Sequence, residues 1–165
     1  MTETIAELIG VLTEKGTILE EMRNLLEEEQ KCIVALDLAR MEANQEEIDK
    51  ATVRMETLNN NCRLLIAKSG EELGLSGNST LTPIISRVRP PEKDRLEGLQ
   101  TSLFSSSSAL DGLLAVNRGL IQDSLGVVER SISFFNVVFT KSTTYGEAGR
   151  MVSNPTGVRL VCKEI

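Results

Sequence analysis

The chain of 165 residues contains no histidine and no tryptophan, and only one tyrosine and four phenylalanines. Without histidine, Ser-His-Asp and Cys-His nucleophiles, an imidazole general base and histidine-containing zinc sites are excluded. Aromatics make up 3% of the chain, too few for a base-stacking platform. With 24 acidic against 18 basic residues the formal charge is −6, which repels nucleic-acid phosphates. The three cysteines, Cys32, Cys62 and Cys162, form no CxxC pair, and so sparse and odd a set suits a reducing compartment. No apolar run approaches the ~20 residues of a membrane span, and the first residues lack the basic region of a signal peptide. The expected setting is soluble and cytoplasmic.

What is present is aliphatic. The hydrophobic fraction of 41% is enough for a buried core, built from Leu, Ile, Val, Met and Ala. Ile5, Leu12, Leu19, Leu26 and Ile33 recur every seven residues, with Leu8, Met22 and Leu36 in the companion row and Lys15 and Glu29 interrupting it. This is the pattern of a long packed helix. Asp37 is a candidate N-cap for a second helix, along which Met41, Ile48, Met55, Leu58, Cys62, Leu65 and Ile66 form an apolar stripe. An antiparallel hairpin is the simplest reading. One unbroken helix is the alternative, because neither Gly nor Pro marks the turn. In the hairpin, Cys32 and Cys62 stand roughly 30 Å apart along the bundle, beyond disulfide reach.

Seven Gly, Asn and Pro residues crowd 69–91, from Gly70 to Pro91, and Ser69-Gly70 is expected to start unwinding the second helix. Thr82 is a candidate cap for a short helix with Pro83 at its first position. A last long helix follows Pro91, carrying Leu96, Leu99, Leu103, Leu110, Leu113, Leu120, Val127, Phe134 and Val138 on one heptad seam. Ser106, Asn117, Ser124 and Ser131 fall on the same seam. The expected fold is all-α: helices at about 3–35, 37–68 and 91–140, a linker at 69–90, and one bundle domain over 1–140. The tail 141–165 is punctuated by Gly146, Gly149, Pro155 and Gly157; its short runs, such as 158–162, allow a hairpin, a docked strand or a mobile segment.

Candidate chemistry is sparse. The acids Glu27 to Glu29 lack the histidines of a di-iron bundle and read as a solvated face. Ser105 to Ser108 have no Ser-x-x-Lys partner and read as small residues for close helix approach, or as a recapped kink at Ser108. Arg87, Arg89, Lys93 and Arg95 form a basic cluster interleaved with Glu92 and Asp94, read as a surface helix start or a dock for an acidic partner. Four of the five aromatics fall between Phe134 and Tyr145. Tyr145, in a polar Gly-flanked segment, suits an exposed binding anchor.

In order and spacing, these features resemble the flagellar export chaperones of the FlgN type. The likeness rests on the run 28–43 through Cys32, Asp37 and Arg40, on Leu64-Leu65 followed by Leu73 to Leu75, and on Leu113-Leu114 with Asn117 to Ile121. Tyr145, Gly149 and Arg150 complete it. The resemblance implies a cytoplasmic, non-enzymatic chaperone without cofactor. Its clients would be the helical terminal regions of hook-associated junction proteins, and it would also bind the cytoplasmic domain of the export-gate membrane protein. Client binding is expected at the apolar end of the last helix, at Phe135, Val138 and Phe139, with Phe134 and Val138 also eligible for the core. Tyr145 matches the family tyrosine of the gate contact. No nucleic acid and no membrane insertion are implied, and the open seam allows a homodimer. A generic coiled-coil adaptor without a secretion role is the rival reading.

Overall fold

The computed structural model describes residues 3–75 and 80–140 and the strand residues 144–145 and 151–152. Four helices are present: α1 (Glu3–Ala35), α2 (Leu38–Glu72), α3 (Leu81–Arg87) and α4 (Glu92–Thr140). Strands β1 (Thr144–Tyr145) and β2 (Met151–Val152) pair antiparallel, Tyr145 opposite Met151. The chain divides into two compact units, Met1–Leu120 and Ile121–Ile165, and the division falls within α4.

In the first unit α1 and α2 form an antiparallel hairpin. The Thr4 hydroxyl donates to Glu72 Oε1 (2.6 Å) at its open end, Arg54 pairs with Glu21 midway, and Asn44 Nδ2 donates to the Leu25 carbonyl (3.0 Å) near the tip. The turn is made without glycine. Leu36 adopts a left-handed conformation (φ 55°), its N–H donating to the Ile33 carbonyl while the Asp37 N–H donates to that of Cys32. These two bonds form a Schellman closure, which satisfies carbonyls that the helix end would otherwise orphan. Asp37 then caps α2, its carboxylate accepting from the Arg40 N–H at 3.1 Å.

The far end of α2 closes in the same way with a glycine in the strained place. Gly74 (φ 67°) donates to Glu71, and Leu75 to Gly70. Because a left-handed L-residue costs roughly 1 kcal/mol that glycine does not, and Leu36 is 72% exposed, Leu36→Gly is expected to stabilise the protein by about 1 kcal/mol. Urea unfolding checks this; a lower midpoint for the variant would mean that Leu36 makes an apolar contact worth more than the strain.

Ser69 and Gly70 do not unwind α2 as expected. Both are buried and the helix continues to Glu72; their small size suits a crowded position, although the buried Ser69 hydroxyl finds no hydrogen-bond partner among the described residues. Thr82 is likewise not the cap of α3. Thr80 occupies that position, and Pro83 is accommodated inside the first turn, where its missing N–H has no intrahelical acceptor. The Thr82 hydroxyl instead accepts from Gln100 Nε2 of α4 (3.3 Å).

The core is aliphatic. At the open end of the hairpin Ile5, Leu8, Ile9, Leu12, Cys62, Ile84, Ile85 and Leu96 pack together; Ile18, Ala51 and Leu58 form a second cluster toward the tip. Helix α4 runs parallel to α1. Leu96 meets the first turns of α1, Leu103 Cδ2 approaches Gly16, and Asn117 reaches Leu26. Cys32 and Cys62 are buried free thiols in different parts of the hairpin, and burial pushes the Cys62 thiol up from its ordinary pKa, partly offset by Lys15. Such a thiol stays protonated and behaves as a small core residue.

Candidate binding surface

Along α4 the pattern of burial changes near the boundary of the two units. Leu96, Leu110 and Asn117 are buried in the first unit. In the second, Leu125, Val127, Val128, Ile132, Phe134, Phe135, Val137 and Val138 are all between 47% and 63% exposed. Val127, Phe134 and Val138 thus leave the seam on which the heptad count put them, and neither Phe134 nor Val138 lies in the core.

Among the described residues no side chain of α4 after Asn117 is buried, so these positions are uncovered whatever their direction, and the helical repeat decides only which face each one shares. A straight helix turns about 100° per residue, so a strict seven-residue count drifts about 20° per heptad. Counted this way, the direction of Leu96, Leu103 and Leu110 is continued by Ile121, Leu125, Val128, Ile132 and Phe135. The heptad set Val127, Phe134 and Val138 lies about 100° around the helix from it. The last five turns of α4 therefore carry two apolar faces rather than one. Periodicity at 3.6 rather than 3.5 would have revealed the first face in the sequence.

The surface is nearly uncharged, with Asp123, Glu129 and Arg130 as its only ionisable groups between 121 and 140. The rings of Phe134 and Phe135 meet edge to face, centroids 5.8 Å apart. Phe135 and Val138, three residues apart, are neighbours on the helix surface. Phe139 belongs to the last turn of α4, but its side chain lies outside the described residues. The same holds for Tyr145, whose backbone is fixed opposite Met151 in the strand pair. The run 158–162 also lies outside them.

Such a surface offers burial rather than reaction chemistry. Among the described residues no group of three or more potential ligands could hold a metal ion, and no helix is long and apolar enough to cross a membrane. In the first unit, the serine run is part of an uninterrupted α4: Ser105, Ser107 and Ser108 are exposed, so no kink is recapped there. Ser102 and Ser106 line, with Thr13, Gly16 and Thr17 of α1, an open groove of about 800 Å³. Glu20, Glu21 and Glu28 rim it, each paired with an arginine: Arg23, Arg54 and Arg40.

A family model described as FlgN protein matches residues 1–153, from α1 through the strand pair. No curated protein and no solved structure matches the chain at a significant level.

Proposed function

The chain belongs to the FlgN family of flagellar export chaperones, and from that premise we propose that it holds the helical terminal regions of hook-filament junction proteins. In this reading it acts in the cytoplasm, keeps those proteins from assembling early and delivers them to the type III export gate. The observation that carries the proposal is the exposed apolar length of α4 from Leu125 to Val138. An amphipathic helix from a client would lay its own apolar stripe along it and remove both stripes from water, which is how helix-in-groove recognition gains its free energy. Phe135, Val138 and Phe139 are assigned to the client, with Phe135 as an aromatic anchor. Tyr145 is assigned to the gate. Until a client arrives, pairing with a second copy would shield the same face.

The test is co-purification with a hook-associated protein and, separately, with the cytoplasmic domain of the gate protein. Placing two carboxylates in the contact, Phe135→Asp with Val138→Asp, is expected to weaken client binding by at least about 30-fold while leaving gate docking intact. Tyr145→Ala is expected to do the reverse. Full client binding by the double variant would remove this face from the role. Failure of the unmodified chain to hold any junction protein would favour the generic adaptor.

A further inference from the structure

The elbow between α3 and α4 carries a charge pattern that the client surface does not use. Residues 87–95 contain Arg87, Arg89, Lys93 and Arg95 against Glu92 and Asp94, a net positive stretch in a chain of net charge −6. Arg87, Arg89 and Arg95 are exposed, and none has a carboxylate within ion-pair distance among the described residues. Only Lys93 is engaged, distantly, with Glu97 at 3.9 Å. Elsewhere in the first unit, Arg23, Arg40 and Arg54 each have a glutamate partner. Arg63 and Arg118 are likewise exposed without an ion pair among the described residues, but each stands singly, whereas residues 87–95 bring three unpaired guanidiniums into one short segment.

The segment that carries them is anchored. Ile84 and Ile85 before it and Leu96 after it are buried in the core cluster, and Val88, between Arg87 and Arg89, packs against that cluster. Backbone bonds from Val88 to Ile84, from Lys93 to Arg89 and from Arg95 to Pro91 fix the path between these anchors. Apolar residues point the chain inward and the arginines alternate with them, so the cations stand on a backbone already ordered. A partner would not meet the cost of ordering it. Beside Arg95, an open cleft of about 520 Å³ is lined by Ile9, Pro91, Glu92 and Asp94.

We infer that the α3–α4 elbow, through Arg87, Arg89 and Arg95, is a docking surface for a short acidic segment of another protein. The chemistry selects that class over other anions. Guanidinium groups grip carboxylates and phosphates alike with two parallel hydrogen bonds, which lysine cannot do, so the choice between these anions falls to the acids set among them. Glu92 and Asp94, set among the cations, repel a densely and uniformly charged polymer or bilayer but tolerate carboxylates spaced to avoid them. The net negative charge of the whole chain opposes every anion at longer range, and a dense polyanion or an anionic bilayer more than a short peptide of spaced carboxylates. This surface is separate from residues 125–138, so it stands whether or not the client assignment does.

The experiment is fluorescence anisotropy of a short labelled peptide of alternating Glu and Ala, titrated with the full chain at low ionic strength. Binding is expected, weakening as salt is added. Arg87→Ala, Arg89→Ala and Arg95→Ala combined should lower affinity by about tenfold or more. The corresponding triple Lys variant, which keeps the charge and the fold but loses the paired geometry, should fall between the two. Phe135→Asp with Val138→Asp should bind the peptide as the unmodified chain does. Equal affinity of the unmodified chain and both triple variants would overturn the proposal, as would tighter binding of a DNA duplex or of phosphatidylglycerol vesicles than of the peptide.

Discussion

Removal of residues 132–165 is expected to leave a folded, strongly helical protein that no longer holds its proposed client. Every buried side chain among the described residues lies at or before Asn117, so the deletion takes away none of them. The hairpin, α3 and the docked part of α4 keep both aliphatic clusters. The unfolding free energy is therefore expected to stay within about 1 kcal/mol of the full chain, the range of changes that touch no core contact. Client affinity behaves differently. The truncation removes Ile132, Phe134, Phe135, Val137 and Val138, each roughly half exposed and available for burial. Burying several such side chains contributes about 1 kcal/mol or more apiece, so their joint loss takes binding beyond detection. Circular dichroism and co-purification with a hook-associated protein are to be read together. A truncated protein that still retained its client at full strength would place the contact upstream, on Leu125 and Val128 or outside α4.

Asn117→Asp is expected to destabilise the first unit by about 3 kcal/mol, although it changes a single atom. Asn117 is 2% exposed, and its Nδ2 donates to the Leu26 carbonyl and to Glu29 Oε2, both at 2.8 Å. An aspartate carboxylate has no hydrogen to give. It would set two acceptors against that carbonyl and bring a second negative charge against Glu29. The sign with pH follows from the same chemistry. Folding favours the protonated acid, which regains a donor, so the difference from the unmodified protein is largest at neutral pH and narrows on acidification. Urea unfolding at neutral and acidic pH measures both quantities. A neutral-pH midpoint equal to that of the unmodified chain would show that Asn117 does not hold α4 on α1.

Asn117 also marks where sequence reasoning stopped. Its place on the seam was legible, as was the polar stripe to which it belongs, but its partners were not. Nothing local relates position 117 to Leu26 or Glu29. The polar break in one helix is answered by the polar break in another, since Glu29 is also the residue that interrupts the heptads of α1. A similar limit applies to the hairpin turn. Asp37 announced a cap through its side chain, whereas Leu36 gave no sign of a left-handed residue. That conformation is imposed by the two helices it joins, whose packing outweighs a strain of about 1 kcal/mol.

For the binding surface, the aromatic cluster near the end of α4 was plain in the composition. Phe134 and Val138 were open to both core and surface in the sequence, and they are exposed, as is Phe135 on the neighbouring face, because among the described residues no side chain of α4 after Asn117 is buried.

By itself the sequence determined the helical class and the aliphatic core, because these depend on composition and on periodicities repeated over many turns, and the order and spacing of particular residues pointed to the family, whereas the choice of a hairpin over one unbroken helix waited on the contacts between α1 and α2. Tertiary structure alone decided which apolar residues were left uncovered, which arginines were left without partners and which polar side chains were locked in the interior. Each of those outcomes depends on which segments meet in space, and contacts between distant segments leave no local trace in the chain.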